Sequence, residues 1–185
     1  TLFPYTTLFR SIYGIPVHSY VMGLVYNKKY FKEAGIVDEN GEAKPPETWE
    51  EFTEYAKKLT NRDENVAGYG IMGAKRQGGW QMLNWIWQAG GELEKKVDGE
   101  WKAVFDSPEA VDAFKYIQEL RWDYDVLQPN ILVDAAGVMQ RFAAGNVAMF
   151  LGTPEWVPLL VDKYGANLDD IGLAPLPAGP AGKAS

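Results

Sequence analysis

The sequence predicts an α/β domain in which a short mixed β-sheet carries helices on both faces. Short apolar segments of strand length alternate along the chain with longer segments that have helical periodicity. The apolar segments lack polar alternation, which indicates strands that are buried on both sides. With 46% hydrophobic residues in a length of 185, the chain can bury one sizeable core, and no repeat or linker divides it.

The composition excludes several classes of function. The chain has 18 basic and 25 acidic residues, a net charge of −7, and no basic stripe, so neither nucleic acid nor an anionic membrane surface is an expected partner. It contains no cysteine and one histidine, His18. Thiolate metal sites, histidine clusters and a Ser-His-Asp triad are therefore excluded, and no cofactor is expected.

The first predicted elements are two strands and a short helix. Apolar segments at 12–17 and 21–26 predict the strands. Asn27 is the expected N-cap of a helix over 28–34, and Gly35 marks the end of that helix.

A second helix is predicted to begin after Thr48, because Thr48 and Glu51 have the spacing of a capping box. A glycine-bounded strand is expected over 68–73, and Asp98–Gly99 gives the turn signal of a hairpin within 97–105. The apolar side of the second helix follows the three-and-four spacing of an amphipathic helix, through Trp49, Phe52, Tyr55, Ala56 and Leu59.

The most apolar predicted helix covers 80–89, and Gly78 and Gly79 precede it. Apolar residues occupy almost every side of this helix, so we expect it to be buried or to line a cleft. We assign Trp85 to the core. The apolar residues of this predicted helix are Trp80, Met82, Leu83, Trp85, Ile86 and Trp87.

Three more helices and two strands are predicted in the second half. Ser107 caps a helix that continues to about residue 124, and Asp134 caps one that continues to about residue 144. Apolar residues on one side of the first of these are Val111, Phe114, Ile117 and Leu120.

The last three elements are expected close together. An apolar strand covers 146–152, and Thr153 with Pro154 then gives the signal for a helix that ends near residue 164. A final strand is predicted over 171–176.

Several segments, taken in order, resemble one known family. They are YGIPV, GLVYNKKYFKEAGI, PPETWEEFTEYAKKLT, GYGI, WIWQAGGE, FDSPEAVDAFKYIQEL, VDAAGVMQRFAAGNVAMFLGTPEW and IGLAPLPAGPAG. Together they resemble the extracellular solute-binding proteins of the maltose-binding-protein type. The resemblance covers residues 12–183, and it rests on the order and spacing of these segments.

The resemblance implies one lobe of a two-lobe, periplasmic-binding-protein-like fold of type II. Residues 12–26 would form the crossover to the other lobe, and 27–183 the C-terminal lobe, with the N-terminal lobe missing. Residues 1–11 differ in character and are left unassigned, with an assembly artefact as one interpretation. The implied protein is an extracytoplasmic monomer, periplasmic or lipid-anchored, that delivers a sugar to the permease of an ABC importer.

The candidate ligand-binding residues are aromatic, acidic and hydroxyl side chains. Indole rings pack against the C–H face of a sugar, and polar groups satisfy its hydroxyls. Trp80 ranks first, because the resemblance places it at a sugar-stacking aromatic. The turn after the strand at 146–152 and the crossover supply the others: Thr153, Glu155, Trp156, His18 and Tyr20.

Other interpretations remain open at this point. Related binding proteins take peptides, polyamines or iron complexes, and Glu155 alone supplies little charge for a polyamine. A carbohydrate-active enzyme would need two carboxylates in defined geometry. The pairs Asp123/Asp125 and Asp169/Asp170 are available, but they fall at helix ends or in polar loops, and we expect no enzyme activity.

Overall fold

The structure is a computed structural model that describes residues 21–182. Its strands are β1 (Gly23–Asn27), β2 (Ala67–Gly70), β3 (Glu94–Val97), β4 (Glu100–Ala103), β5 (Val147–Gly152) and β6 (Ile171–Ala174). Its helices are α1 (Lys28–Glu33), α2 (Trp49–Leu59), α3 (Gln77–Gln88), α4 (Pro108–Trp122), α5 (Ala135–Ala143) and the short α6 (Trp156–Pro158). A π-helical turn, Leu159–Lys163, continues α6, and a 3₁₀ turn, Leu168–Asp170, precedes β6.

Four strands form a mixed sheet in the order β2-β5-β1-β6. Strand β1 is antiparallel to both of its neighbours, and β2 is parallel to β5. Gly23 at the start of β1 pairs with Gly152 at the end of β5. The carboxyl ends of β2, β5 and β6 therefore meet the start of β1 at one end of the sheet, which we call the carboxyl end.

Helices cover both faces of this sheet, as the sequence predicts. On one face, Leu24 and Leu151 pack in a core with residues of α2, α3 and α4. On the other, Val25 and Phe150 pack with residues of α5 and with Leu160. Alternate residues of a strand point to opposite faces, so the buried strands are apolar on both sides, which explains their lack of polar alternation.

The larger core is built around aromatic rings. Trp85 is completely buried and makes tilted or edge contacts with Trp49 and Phe52 at centroid distances of 5.5 and 5.4 Å. The indole Nε1 of Trp49 donates to Oε1 of buried Gln88 over 2.6 Å. The core assignment of Trp85 is confirmed.

Four of the five predicted helix caps and the hairpin turn are confirmed. Asp98 and Gly99 have φ values of +53° and +86°, as a two-residue type I′ turn requires, and they join β3 to β4. The four capping side chains each accept a hydrogen bond from the backbone N–H three residues later: Asn27, Thr48, Ser107 and Asp134.

Two predicted helix starts are wrong. Helix α3 begins at Gln77, so Gly78 and Gly79 lie inside it. A Cβ on Gly78 would lie 3.2 Å from the Met72 carbonyl oxygen, which shows how closely the first turn packs on the preceding segment. After β5, the chain makes a turn before α6, and Thr153 does not cap a helix.

The buried side of α4 also differs from its prediction. Val111 and Phe114 are exposed, at 43% and 52%, whereas Ala110 and Ala113 are buried. The small alanine side chains allow α4 to approach α3 closely, so packing overrides the apolar pattern. The strand predicted over 12–17 lies outside the described residues.

Candidate ligand-binding surface

Two tryptophans meet beyond the carboxyl end of the sheet. Trp80 follows β2 on the first turn of α3, and Trp156 follows β5 at the start of α6. Their ring centroids are 6.1 Å apart with an angle of 44° between the planes, and both side chains are half-buried. The tilted rings leave apolar surface that a ligand can contact.

Phe150 and Gly152 of β5 fix the position of Trp156. The Trp156 and Phe150 rings are nearly parallel, with an angle of 14° between their planes and 6.3 Å between their centroids. A Cβ on Gly152 would lie 3.1 Å from Cε3 of Trp156. The glycine therefore lets the indole lie close to the strand, and any larger residue would push the ring away.

Gln81 anchors the helix that carries Trp80. Its side chain is completely buried, and its Oε1 accepts from the backbone N–H of Met72 over 2.8 Å. Its Nε2 donates to the carbonyl oxygen of Leu151 over 3.4 Å. Gln81 was not among the predicted residues, although an amide side chain directly between Trp80 and Met82 was a visible signal.

The segment before α3 is held in an unusual backbone conformation. Lys75 and Arg76 both have positive φ, +52° and +65°, which costs free energy for residues other than glycine. Lys75 Nζ pairs with Asp134 Oδ2 at 2.6 Å. The Lys75 ammonium and the Gly137 N–H together lower the pKa of Asp134, and the same carboxylate raises the pKa of Lys75.

An apolar groove of about 330 Å³ lies at the same end of the sheet. It continues from the turn that carries Trp156, because Gly152 and Pro154 form part of its wall. The start of β1 and the segment after β6 complete it, through Val21, Met22, Gly23, Leu173, Ala174, Pro175 and Leu176. The strand ends thus present a mainly apolar groove that adjoins the turn before Trp156.

The remaining predicted residues differ in their accessibility. Glu155 is exposed beside Trp156. Thr153 is only 2% exposed, and its hydroxyl has no hydrogen-bonding partner within residues 21–182. His18 and Tyr20 lie outside the described residues. The binding roles of all six predicted residues stay predictions.

The acidic pairs lie apart from the two tryptophans. Asp125 pairs with Arg62 at 2.8 Å. Asp169 and Asp170 precede β6, at the opposite end of the sheet from Trp80. Between residues 21 and 182, no group of acidic and histidine side chains could hold a metal ion, and no helix there has the length and hydrophobicity to cross a membrane.

Known structures share this fold. A solute-binding protein of an ABC transporter from Thermotoga lettingae TMO, bound with α-D-tagatose, superposes with a TM-score of 0.81 and 30% identity, over 100% of this chain and 46% of that one. Maltose-bound MalE3 of Thermotoga maritima gives a TM-score of 0.80 and 25% identity, with the same coverage.

Sequence comparison leads to the same group of proteins. The arabinooligosaccharide-binding protein of Halalkalibacterium halodurans is 24% identical over 172 residues, 90% of this chain and 35% of the relative. The chain thus spans less than half the length of the proteins it matches. The family model for bacterial extracellular solute-binding proteins matches residues 1–184. The chain therefore belongs to the family of bacterial extracellular solute-binding proteins.

Proposed function

We propose that this chain is the sugar-contacting lobe of the substrate-binding component of an ABC importer. The observation that carries the proposal is the meeting of Trp80 and Trp156 at the carboxyl end of the sheet. Ligands of open α/β sheets bind beyond the carboxyl ends of the strands. Half-buried indoles in that place give a sugar ring flat apolar surfaces for its C–H face.

The polar groups of such a site come from the same turn. Glu155 is exposed next to Trp156, where its carboxylate can accept hydrogen bonds from sugar hydroxyls. A buried set of such bonds selects one sugar over another, because an unmatched hydroxyl leaves a polar group unpaired. Binding of this kind needs no bond cleavage, and the family and its structural neighbours are binding proteins.

A second lobe completes the cleft in this proposal. Residues 12–26 form the crossover and residues 27–183 the lobe, whereas the rest of the complete protein supplies the other wall. The length of the chain relative to its relatives supports this, and so does the apolar groove at the strand ends. Closure of the two lobes around a sugar would then create the form that the permease recognises, outside the cytoplasm.

A panel of ligands tests the proposal on the complete protein that contains this chain. The panel holds glucose, tagatose, maltose and arabinotriose, with putrescine and tetra-alanine as non-sugar ligands. A sugar present at 100 times its Kd stabilises the folded protein by about 2.7 kcal/mol, so thermal shift detects it and calorimetry confirms it. A response to putrescine or the peptide with none to any sugar would contradict the proposal.

A further inference from the structure

The accessible side of α3 is a single apolar line. Trp80, Leu83 and Trp87 are partly exposed, and their spacing of three and four residues places them on one stripe. From Trp80 to Trp87 the helix rises through two turns, about 10 Å. The other residues between them face the core or a neighbouring element: Gln81, Met82, Asn84, Trp85 and Ile86.

The far end of this line opens into a second groove. Trp87 and Trp101 are 42% and 67% exposed, and both line a groove of about 610 Å³ between the end of α3 and the β3–β4 hairpin. This volume falls within the range of small-molecule sites. Two exposed indoles on one groove differ from the scattered apolar side chains of an ordinary protein surface.

The polar side chains of this groove suit an uncharged, hydroxyl-rich ligand. Glu92, Glu94 and Lys102 line it together with Leu93 and Ala103. The carboxylates accept hydrogen bonds from hydroxyls, and the ammonium donates to them. Since both signs of charge are present, the groove has no strong preference for a cation or an anion.

We propose that the sugar site extends along α3, from the Trp80–Trp156 pair to the groove between Trp87 and Trp101, and that the ligand is an oligosaccharide. The inference rests on the proposed function, because it assumes a sugar at Trp80. Leu83 is partly exposed and lies between the two ends on the same stripe of α3. A ligand that touches both ends must be longer than a single sugar ring, since Trp80 and Trp87 lie two helical turns apart on α3.

Titration of the complete protein with saccharides of increasing length tests this extension. The probes are maltose to maltopentaose, laminaribiose to laminaripentaose, and arabinobiose to arabinopentaose. In the series that binds, Kd should fall as units are added. The ratio of the Kd of the disaccharide to the Kd of the pentasaccharide measures the affinity gained from the added units. This ratio should fall by about three- to tenfold in Trp87→Ala and in Trp101→Ala, because each variant removes one stacking surface.

The matched control is Trp122→Ala. Trp122 is 72% exposed on α4 and lines neither groove, so its removal should leave the length dependence unchanged. Trp80→Ala should weaken binding at every length, which distinguishes the near end of the site from the far end.

Three results of these titrations would contradict the extended site. If wild type binds a disaccharide and gains nothing from added units, the extension is wrong and the proposed function stands. If Trp87→Ala lowers the melting temperature of the sugar-free protein and leaves the length dependence intact, another part of the protein covers this groove and the extension is again wrong. If no saccharide of any length binds to wild type, both proposals fall.

Discussion

The side-chain oxygen of Gln81 accepts a hydrogen bond from the backbone N–H of Met72 over 2.8 Å, and both residues are completely buried. This bond joins α3 to the segment that follows β2. Because Trp80 precedes Gln81 directly, the bond also fixes where the first indole stands relative to the sheet.

We expect Gln81→Leu to destabilise the protein by about 1–3 kcal/mol, because the Met72 N–H would stay buried without a partner. Sugar affinity should fall as well, since the first turn of α3 loses its anchor. Denaturant unfolding measures the first effect and calorimetry the second. Gln118→Leu, at an exposed position of α4, is the control and should change stability by no more than about 0.5 kcal/mol. Equal stabilities of the two variants would contradict the assigned role.

Removal of either paired indole should weaken sugar binding. We expect Trp80→Ala and Trp156→Ala each to raise Kd by about tenfold, which corresponds to about 1.4 kcal/mol of lost stacking. The double variant should lose less than the sum, because the two rings lie 6.1 Å apart and act on one ligand. Strict additivity in this double-mutant cycle would show that the two rings are not coupled in binding, and would contradict this prediction.

Replacement of Gly68 and of Gly79 by alanine should change the stability of the protein in opposite directions. A Cβ on Gly68 would lie 2.0 Å from the Ala56 carbonyl oxygen, so Gly68→Ala forces α2 away from β2 and should cost about 1–3 kcal/mol or more. Nothing lies within 4 Å of the corresponding Cβ on Gly79, which is inside α3. Gly79→Ala should therefore stabilise the helix by about 0.5–1 kcal/mol. Thermal unfolding of the two variants checks both signs.

The pair of Lys75 and Asp134 predicts a dependence of stability on pH. The pKa of Asp134 is lowered in the folded protein, so its contribution is complete above the unfolded pKa of about 3.9 and is lost as the pH falls through the folded value. Asp134→Asn keeps a capping side chain and removes the charge. Its melting temperature should lie below that of wild type at pH 7, and the difference should shrink below about pH 4.

Asp112→Asn is the control for this experiment. Asp112 pairs with Lys115 at 3.5 Å within α4, and both side chains are more than 60% exposed. Exposed pairs of this kind contribute little, so the variant should follow wild type across the pH range. A difference between wild type and Asp134→Asn that stays constant down to pH 2 would mean that the charge of Asp134 contributes nothing.

Local signals in the sequence were sufficient wherever a few neighbouring residues decide the structure. Thr48 and Asp134 cap helices as predicted, and Asp98–Gly99 forms the hairpin turn, because each depends on side-chain chemistry within a single turn. The boundaries of α3 and the buried side of α4 depend on packing against distant segments. Helical periodicity alone could not show that Ala113 rather than Phe114 faces the core.

The candidate site shows the same division. The sequence pointed to Trp80, Glu155 and Trp156 through residue type and family resemblance, and the order of apolar segments determined that a sheet with two covered faces would form. It could not show that the indoles of Trp80 and Trp156 meet, since 75 residues separate them along the chain.

That meeting was decided by the register of the sheet. Parallel pairing of β2 with β5 brings their carboxyl ends together, and the side chain of Gln81 then holds α3 against β5 and the segment that follows β2. Strand pairing and buried hydrogen bonds act between distant segments, so the tertiary structure alone placed the two aromatic rings on one surface.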